Sequence, residues 1–128
     1  MKTIYLCGAI NGCSDQEAKG WREYAKIKLG NYNILDPMRR DFRGIEDANV
    51  ENIVAGDYED IYDSDIILVA ADKPSWGTAM EIHQAYMQNK VIITVCSQER
   101  ISPWLRYHST AIYKTLDEAI ARLTLTTE

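Results

Sequence analysis

The feature that most constrains the fold is the run Asp65-Ile66-Ile67-Leu68-Val69-Ala70, in which an acid is followed only by apolar side chains. A strand with one wet face alternates apolar and polar residues, whereas an unbroken β-branched run needs cover on both faces, as in a parallel sheet between helix layers. Thr3-Ile4-Tyr5-Leu6-Cys7 and Val91-Ile92-Ile93-Thr94-Val95 repeat the pattern, and Tyr32-Asn33-Ile34-Leu35 and Thr110-Ala111-Ile112-Tyr113 read as shorter strands. Helical segments fall between them. Ser14, with Glu17 three residues later, forms a capping box that opens a helix running to about Leu29, before Gly30. Val50, Ile53, Val54 and Ile61 recur at helical spacing as far as Tyr62. Gly77 to about Asn89 sets Met80, Ile82, Ala85 and Tyr86 on one apolar side, and Thr115 caps a last helix from Leu116 to about Leu123. Strand and helix alternate throughout. The expected architecture is therefore α/β: a flavodoxin/Rossmann-like open sheet of about five mostly parallel strands, with helices on both faces and the Asp65–Ala70 strand in the centre.

A chain of 128 residues with 46% hydrophobic content buries one complete core, so residues 1–128 read as a single domain. A formal charge of -5 argues against wrapping a polyanion, which removes nucleic acid as a partner. The apolar stretch after Lys2 is too short for a signal peptide or a membrane span, so the expected location is cytoplasmic with no membrane partner. Cys7, Cys13 and Cys96 form no close pair, and His83 and His108 stand at no metal-ligand spacing. Reduced thiols, no metal and no cofactor are expected.

In an open parallel sheet, ligands collect beyond the carboxyl ends of the strands. That rule selects Gly8-Ala9-Ile10-Asn11-Gly12 after the first strand, Asp36-Pro37-Met38 after the second and Lys73-Pro74-Ser75-Trp76-Gly77 after the third. The first loop lacks both the three-glycine dinucleotide fingerprint and the phosphate-loop lysine. Ser75 and Gly77 stand where a helix begins, which suits either an anion or a plain N-cap. Glu81 follows about one turn later among apolar neighbours. Glu51, Asp57, Glu59, Asp60 and Asp63 make the preceding helix acidic, and composition does not choose among them. Two carboxylates facing one sugar are what glycosidic cleavage requires, one at the anomeric carbon and one managing a proton.

Three segments, Ile4-Tyr5-Leu6-Cys7-Gly8-Ala9-Ile10, Asp57 ahead of Ser64-Asp65-Ile66, and Pro74-Ser75-Trp76-Gly77-Thr78-Ala79-Met80-Glu81, resemble the nucleoside 2-deoxyribosyltransferase-like family, which includes 2'-deoxynucleoside 5'-phosphate N-hydrolases. The resemblance covers most of the chain. It implies an enzyme that cleaves the N-glycosidic bond of a nucleoside or its 5'-monophosphate, with Glu81 as nucleophile, Tyr5 orienting it and Asp57 as acid or base. It also implies that Gly8 to Gly12, Asp36, Met38, Gly77 and Met80 contact substrate. Ser75 matches the phosphate-binding serine of the hydrolase branch, where the transferase branch has an aspartate. Asn11 stands where the hydrolase branch tends to carry arginine, which leaves Arg39, Arg40 or Arg43 as sources of the missing charge. The family completes each site from a neighbouring subunit, a place that Ser109 matches, so a homodimer or larger assembly is implied. Water or a second base can be the acceptor. A nucleotide sensor without turnover needs no Tyr5, Asp57 and Glu81 set, and a phosphorylated receiver needs an aspartate where Cys7 and Gly8 stand.

Overall fold

The computed structural model describes residues 1–125 and contains one five-stranded sheet, all parallel. In chain order the elements are β1 (Thr3–Gly8), α1 (Trp21–Lys28), β2 (Asn33–Leu35), α2 (Val50–Tyr62), β3 (Ile66–Ala70), α3 (Trp76–Met87), β4 (Val91–Val95), α4 (Pro103–His108), β5 (Ala111–Tyr113) and α5 (Leu116–Leu125). The strand order is β2-β1-β3-β4-β5, with β3 in the middle as the apolar run requires. Leu68 lies level with Leu6 on one side and Ile93 on the other.

Alternation along each strand divides the core in two. Ile4, Leu6, Ile66, Leu68 and Ile93 face α1 and α5, meeting Ala25, Leu29, Ile120 and Leu123. Tyr5, Cys7, Ile67, Val69 and Ile92 face α2 and α3, meeting Ile61, Ile82 and Ala85. Ile67, Leu68 and Val69 are wholly buried, and each such side chain contributes about 1.5 to 3 kcal/mol relative to exposure. The second of these faces carries the site.

The capping residues act as their spacing requires. Ser14 and Glu17 exchange backbone N–H bonds at 2.9 and 3.2 Å, and Thr115 does the same with Glu118 at 3.1 Å. The first helix is not continuous, however: a π turn at Gln16–Gly20 precedes α1. Helix α2 forms over Val50–Tyr62 as its spacing predicts, but not all of its apolar positions turn inward. Val50 and Val54 are 60% and 46% exposed, and the residue that enters the core is Ile61. On α3, likewise, Ile82 and Ala85 are buried while Met80 and Tyr86 face outward. Helix α4 was not anticipated from the sequence. Ser102 caps it through Trp104 N–H at 3.1 Å, and Pro103 occupies its first turn. Among the described residues, no helix is long and apolar enough to cross a membrane.

Candidate active site

The chain reverses its direction of travel across the sheet between β1 and β3, because β2 lies on one side of β1 and β3 on the other. Loops on either side of such a switch point splay apart beyond the strand ends and leave a crevice. A cleft of about 270 Å³ opens there, walled by the loops after β1, β2 and β3 and by α2 and α3. Gly8, Asn11, Ser75, Gly77, Asp57 and Glu81 all border it. Gly8 is where β1 turns away: a Cβ there would sit 3.0 Å from the Trp21 ring and 3.4 Å from the Ala70 carbonyl, so only glycine fits without displacement.

Glu81 lies at the cleft floor, 9% exposed, because α3 points its second turn back over β1. The Cys7 thiol donates to Glu81 Oε1 at 3.3 Å. Burial, followed by the neighbouring Asp57 carboxyl, pushes Glu81 well above the usual glutamate range, and the contacts with Cys7 and Tyr5 offset only part of this. Tyr5 is buried against the same carboxylate, and burial followed by the Glu81 charge pushes its phenol upward. Burial and Glu81 push the Cys7 thiol up as well, which keeps it a protonated donor. Two acids therefore share one buried corner with neutral donors beneath them. Cys7 was read from the sequence only as a reduced thiol. The signal that finds it is strand alternation, since residues two apart on β1 share a face.

The acid that reaches the cleft from α2 is Asp57. Asp60, one turn on, is buried in a pair of guanidinium contacts: Arg39 holds it through both Nη atoms at 2.8 and 3.0 Å, and Arg40 Nη2 donates to it at 2.8 Å. Burial alone would raise Asp60, but the two arginines hold it below the usual aspartate range. Arg40 Nη2 also donates to Asp57 at 3.3 Å.

Several expected contact residues lie elsewhere. The Asp36 carboxylate accepts the Met38 N–H at 2.8 Å and pairs with Lys26 at 2.9 Å, close to the fully buried Arg22. Met38 packs with Cys13 and Ala18, and Ala9 lies against that cluster. Gly12 makes a turn with φ 73°. Met80 is 58% exposed on the outside of α3. Ser75, by contrast, stays on the cleft border, where its Oγ caps α3 through Thr78 N–H at 3.1 Å and donates to Thr78 Oγ1 at 2.7 Å. Ser109 is bonded to Thr94 at 2.6 Å, outside its own chain's cleft. Arg22, unremarked in the sequence, ties the β1 loop down through the carbonyls of Ala18 at 2.6 Å and Gly8 at 3.0 Å. Among the described residues, no three His, Cys, Asp or Glu side chains are grouped so as to hold a metal ion.

The match that decides the family is to the family model described as nucleoside 2-deoxyribosyltransferase, over residues 4–121. The chain belongs to the nucleoside 2-deoxyribosyltransferase family. Several solved structures share its fold. One is a CMP N-glycosidase of Clostridium botulinum, 21% identical with a TM-score of 0.67, covering 96% of this chain and 99% of its own. Another is a 2-deoxyribosyltransferase of Bacillus psychrosaccharolyticus, 18% identical with a TM-score of 0.73, covering 92% and 90%. A conserved protein of Enterococcus faecalis V583 is 14% identical with a TM-score of 0.75, covering 98% of each chain. No curated protein sequence matches at a significant level. At these identities the neighbours establish the fold shared by this family member, and its chemistry rests on the residues in the cleft.

Proposed function

We propose that this protein cleaves the N-glycosidic bond of a nucleoside or nucleoside 5'-monophosphate, ribo or deoxyribo, through a glycosyl intermediate on Glu81. The observation that carries this reading is the pairing of a buried, cleft-facing Glu81 with Asp57 on the facing helix and protonated Tyr5 and Cys7 beneath it. Family membership and the activities named for the two characterised neighbours support it.

The chemistry follows from two carboxyl groups facing one cleft, one to attack and one to manage a proton. Glu81 attacks the anomeric carbon as a carboxylate while the glycosidic electron pair withdraws into the base through an oxocarbenium-like state. Asp57, the acid in this reading, delivers a proton to the departing base. Asp57, now ionised, takes a proton from the second nucleophile as that nucleophile displaces Glu81. Water as the second nucleophile gives hydrolysis, and a free base gives exchange, the reaction in the family's description. A 5'-phosphate suits the start of α3, where the N–H groups of Trp76 and Gly77 precede the capped Thr78. Ser109 of a second copy is proposed to complete the site from outside, as its distance from its own cleft requires.

The test is incubation with ribo- and deoxyribonucleosides and their 5'-monophosphates, with and without a second free base, following base release by chromatography. Release that disappears in Glu81→Ala is expected, and appearance of a new nucleoside when a free base is present identifies the acceptor. Nucleotide binding without release from any substrate would replace this reading with that of a sensor.

A further inference from the structure

Arg40 stands out among the three arginines of the loop after β2. Arg39 engages both Nη atoms with Asp60 and the Asp36 carbonyl, and Arg43 engages Nε, Nη1 and Nη2 with Asp41, the Cys13 carbonyl and Asp15. Arg40 uses Nη2 alone, on Asp57 and Asp60. A guanidinium has five N–H donors, and those on Nε and Nη1 of Arg40 meet no acceptor among the described residues. The group borders the cleft beside Phe42 and Ile53, an apolar ring and side chain that suit the flat face of a base.

Its seat is built. Ile53, Gly56, Asp57 and Asp60 follow one another along one face of α2, and Gly56 is the gap in that face. A Cβ at Gly56 would come within 3.0 Å of Arg40 Nε and 3.2 Å of its Cζ, so the guanidinium lies flat where the helix has no side chain. Glycine inside a helix costs about 0.5 to 1 kcal/mol relative to alanine, so this position gives up local stability to make room. Asp60 anchors the cation from below, and Asp57, the acid of the reacting pair, receives its weaker 3.3 Å contact.

We propose that Arg40 receives the leaving base: its free N–H donors bond to the acceptor on the carbon beside the glycosidic nitrogen, the carbonyl O2 of a pyrimidine or the ring N3 of a purine. This rests on the glycosidic reading above and assigns within it the residue that stabilises the departing group. As the C1'–N bond breaks, its electron pair spreads onto that acceptor, where the guanidinium meets the developing negative charge before the Asp57 proton arrives. A phosphate does not fit the same place, because a dianion there would face both Asp57 and Glu81. The start of α3 lies a full turn before Glu81, about 6 Å along the helix, and is free of that repulsion.

The test compares wild type, Arg40→Gln and Gly56→Ala on matched pairs of nucleosides and their 5'-monophosphates, ribo and deoxyribo: uracil and 5-bromouracil, cytosine and 5-bromocytosine, adenine and 8-bromoadenine. Bromination makes each base a better leaving group. Arg40→Gln is expected to lose about 100-fold in kcat on the parent base, the scale for removing a donor from developing charge, and much less on its brominated partner. Gly56→Ala keeps the arginine but fills its seat, so it is expected to show the same selective loss with an unchanged or higher Tm. Equal losses on parent and brominated bases, or a loss confined to KM of phosphorylated substrates, overturn the assignment while leaving the glycosidic reading intact. No release by wild type from any pair overturns both.

Discussion

The sharpest conflict at the residue scale is at Glu81, where function and stability demand opposite protonation states. Burial, then Asp57, raises its folded value above that of an unfolded glutamate, so the folded protein holds a proton that the unfolded chain has already released. Stability contributed by this position is therefore lost as pH rises from the ordinary glutamate range to the raised value, and stays lost above it. In the proposed reaction, attack on the sugar needs the ionised form, which is the costly one. Glu81→Gln removes that cost together with the nucleophile. Thermal melts of the two proteins are expected to show Glu81→Gln with the higher Tm at pH 8 and a smaller advantage near pH 4, with no turnover at either; a constant gap across that range would show that the group titrates normally. Glu81 and Tyr5 are singled out in the sequence only through the family resemblance, since Glu81 taken alone reads as a surface glutamate. Arg22 is not, since nothing in a lone arginine within a helix signals that its fork will fold inward onto the Gly8 and Ala18 carbonyls.

Helix α2 shows how one element can carry both structure and chemistry. Its Ile53, Gly56, Asp57 and Asp60 face holds the cleft wall, the arginine seat, the proposed proton carrier and the buried anchor, while its valines look outward. The apolar spacing marks the helix, but Val50 and Val54 within it stay exposed, because a helix lining a polar cleft need not bury its whole apolar stripe. Composition did not separate Asp57 from Asp60 either: the distinction lies in which carboxylate meets Arg39, a residue brought close only by the fold. Asp60→Asn is expected to destabilise by about 2 kcal/mol at neutral pH, the scale of a charged hydrogen-bonded contact, with an unchanged urea m-value. Burial opposes and Arg39 with Arg40 favours the Asp60 charge, with the net direction downward. The difference from wild type is therefore complete above the ordinary aspartate range and shrinks as pH falls through the lower folded value. A full difference persisting in acid would place the effect in packing rather than charge. Helix α4 was missed for a simpler reason: six residues give too few turns for periodicity, although Ser102-Pro103 is a start signal.

For the molecule as a whole, the sheet order, the two-faced core and the switch-point cleft all follow from apolar strand runs and their connections, so the architecture was legible at a level where individual contacts were not. What the sequence left open is the outer surface of α3 and α4. Trp76, Met80, His83 and Met87 recur on α3 at spacings of four, three and four, the stripe that packs helix against helix, and all four are exposed, Trp76 at 85% and Met87 at 64%. Beside them α4 presents Trp104 and Tyr107, 77% and 70% exposed, with the Tyr107 ring 5.5 Å from Tyr86. So much aromatic surface on one side of a chain this small favours a second copy over water, and Trp76 carries the stripe to the mouth of the cleft. A pair joined through these helices would also give Ser109, which lies outside its own chain's cleft, a neighbour's site to serve. Sedimentation equilibrium is expected to give twice the chain mass for the wild type and the single mass for Trp104→Glu with Tyr107→Glu. Base release by that double variant should fall with its loss of pairing, and Ser109→Ala should lower activity while remaining paired. A monomeric wild type with full activity would remove both the assembly and the shared site.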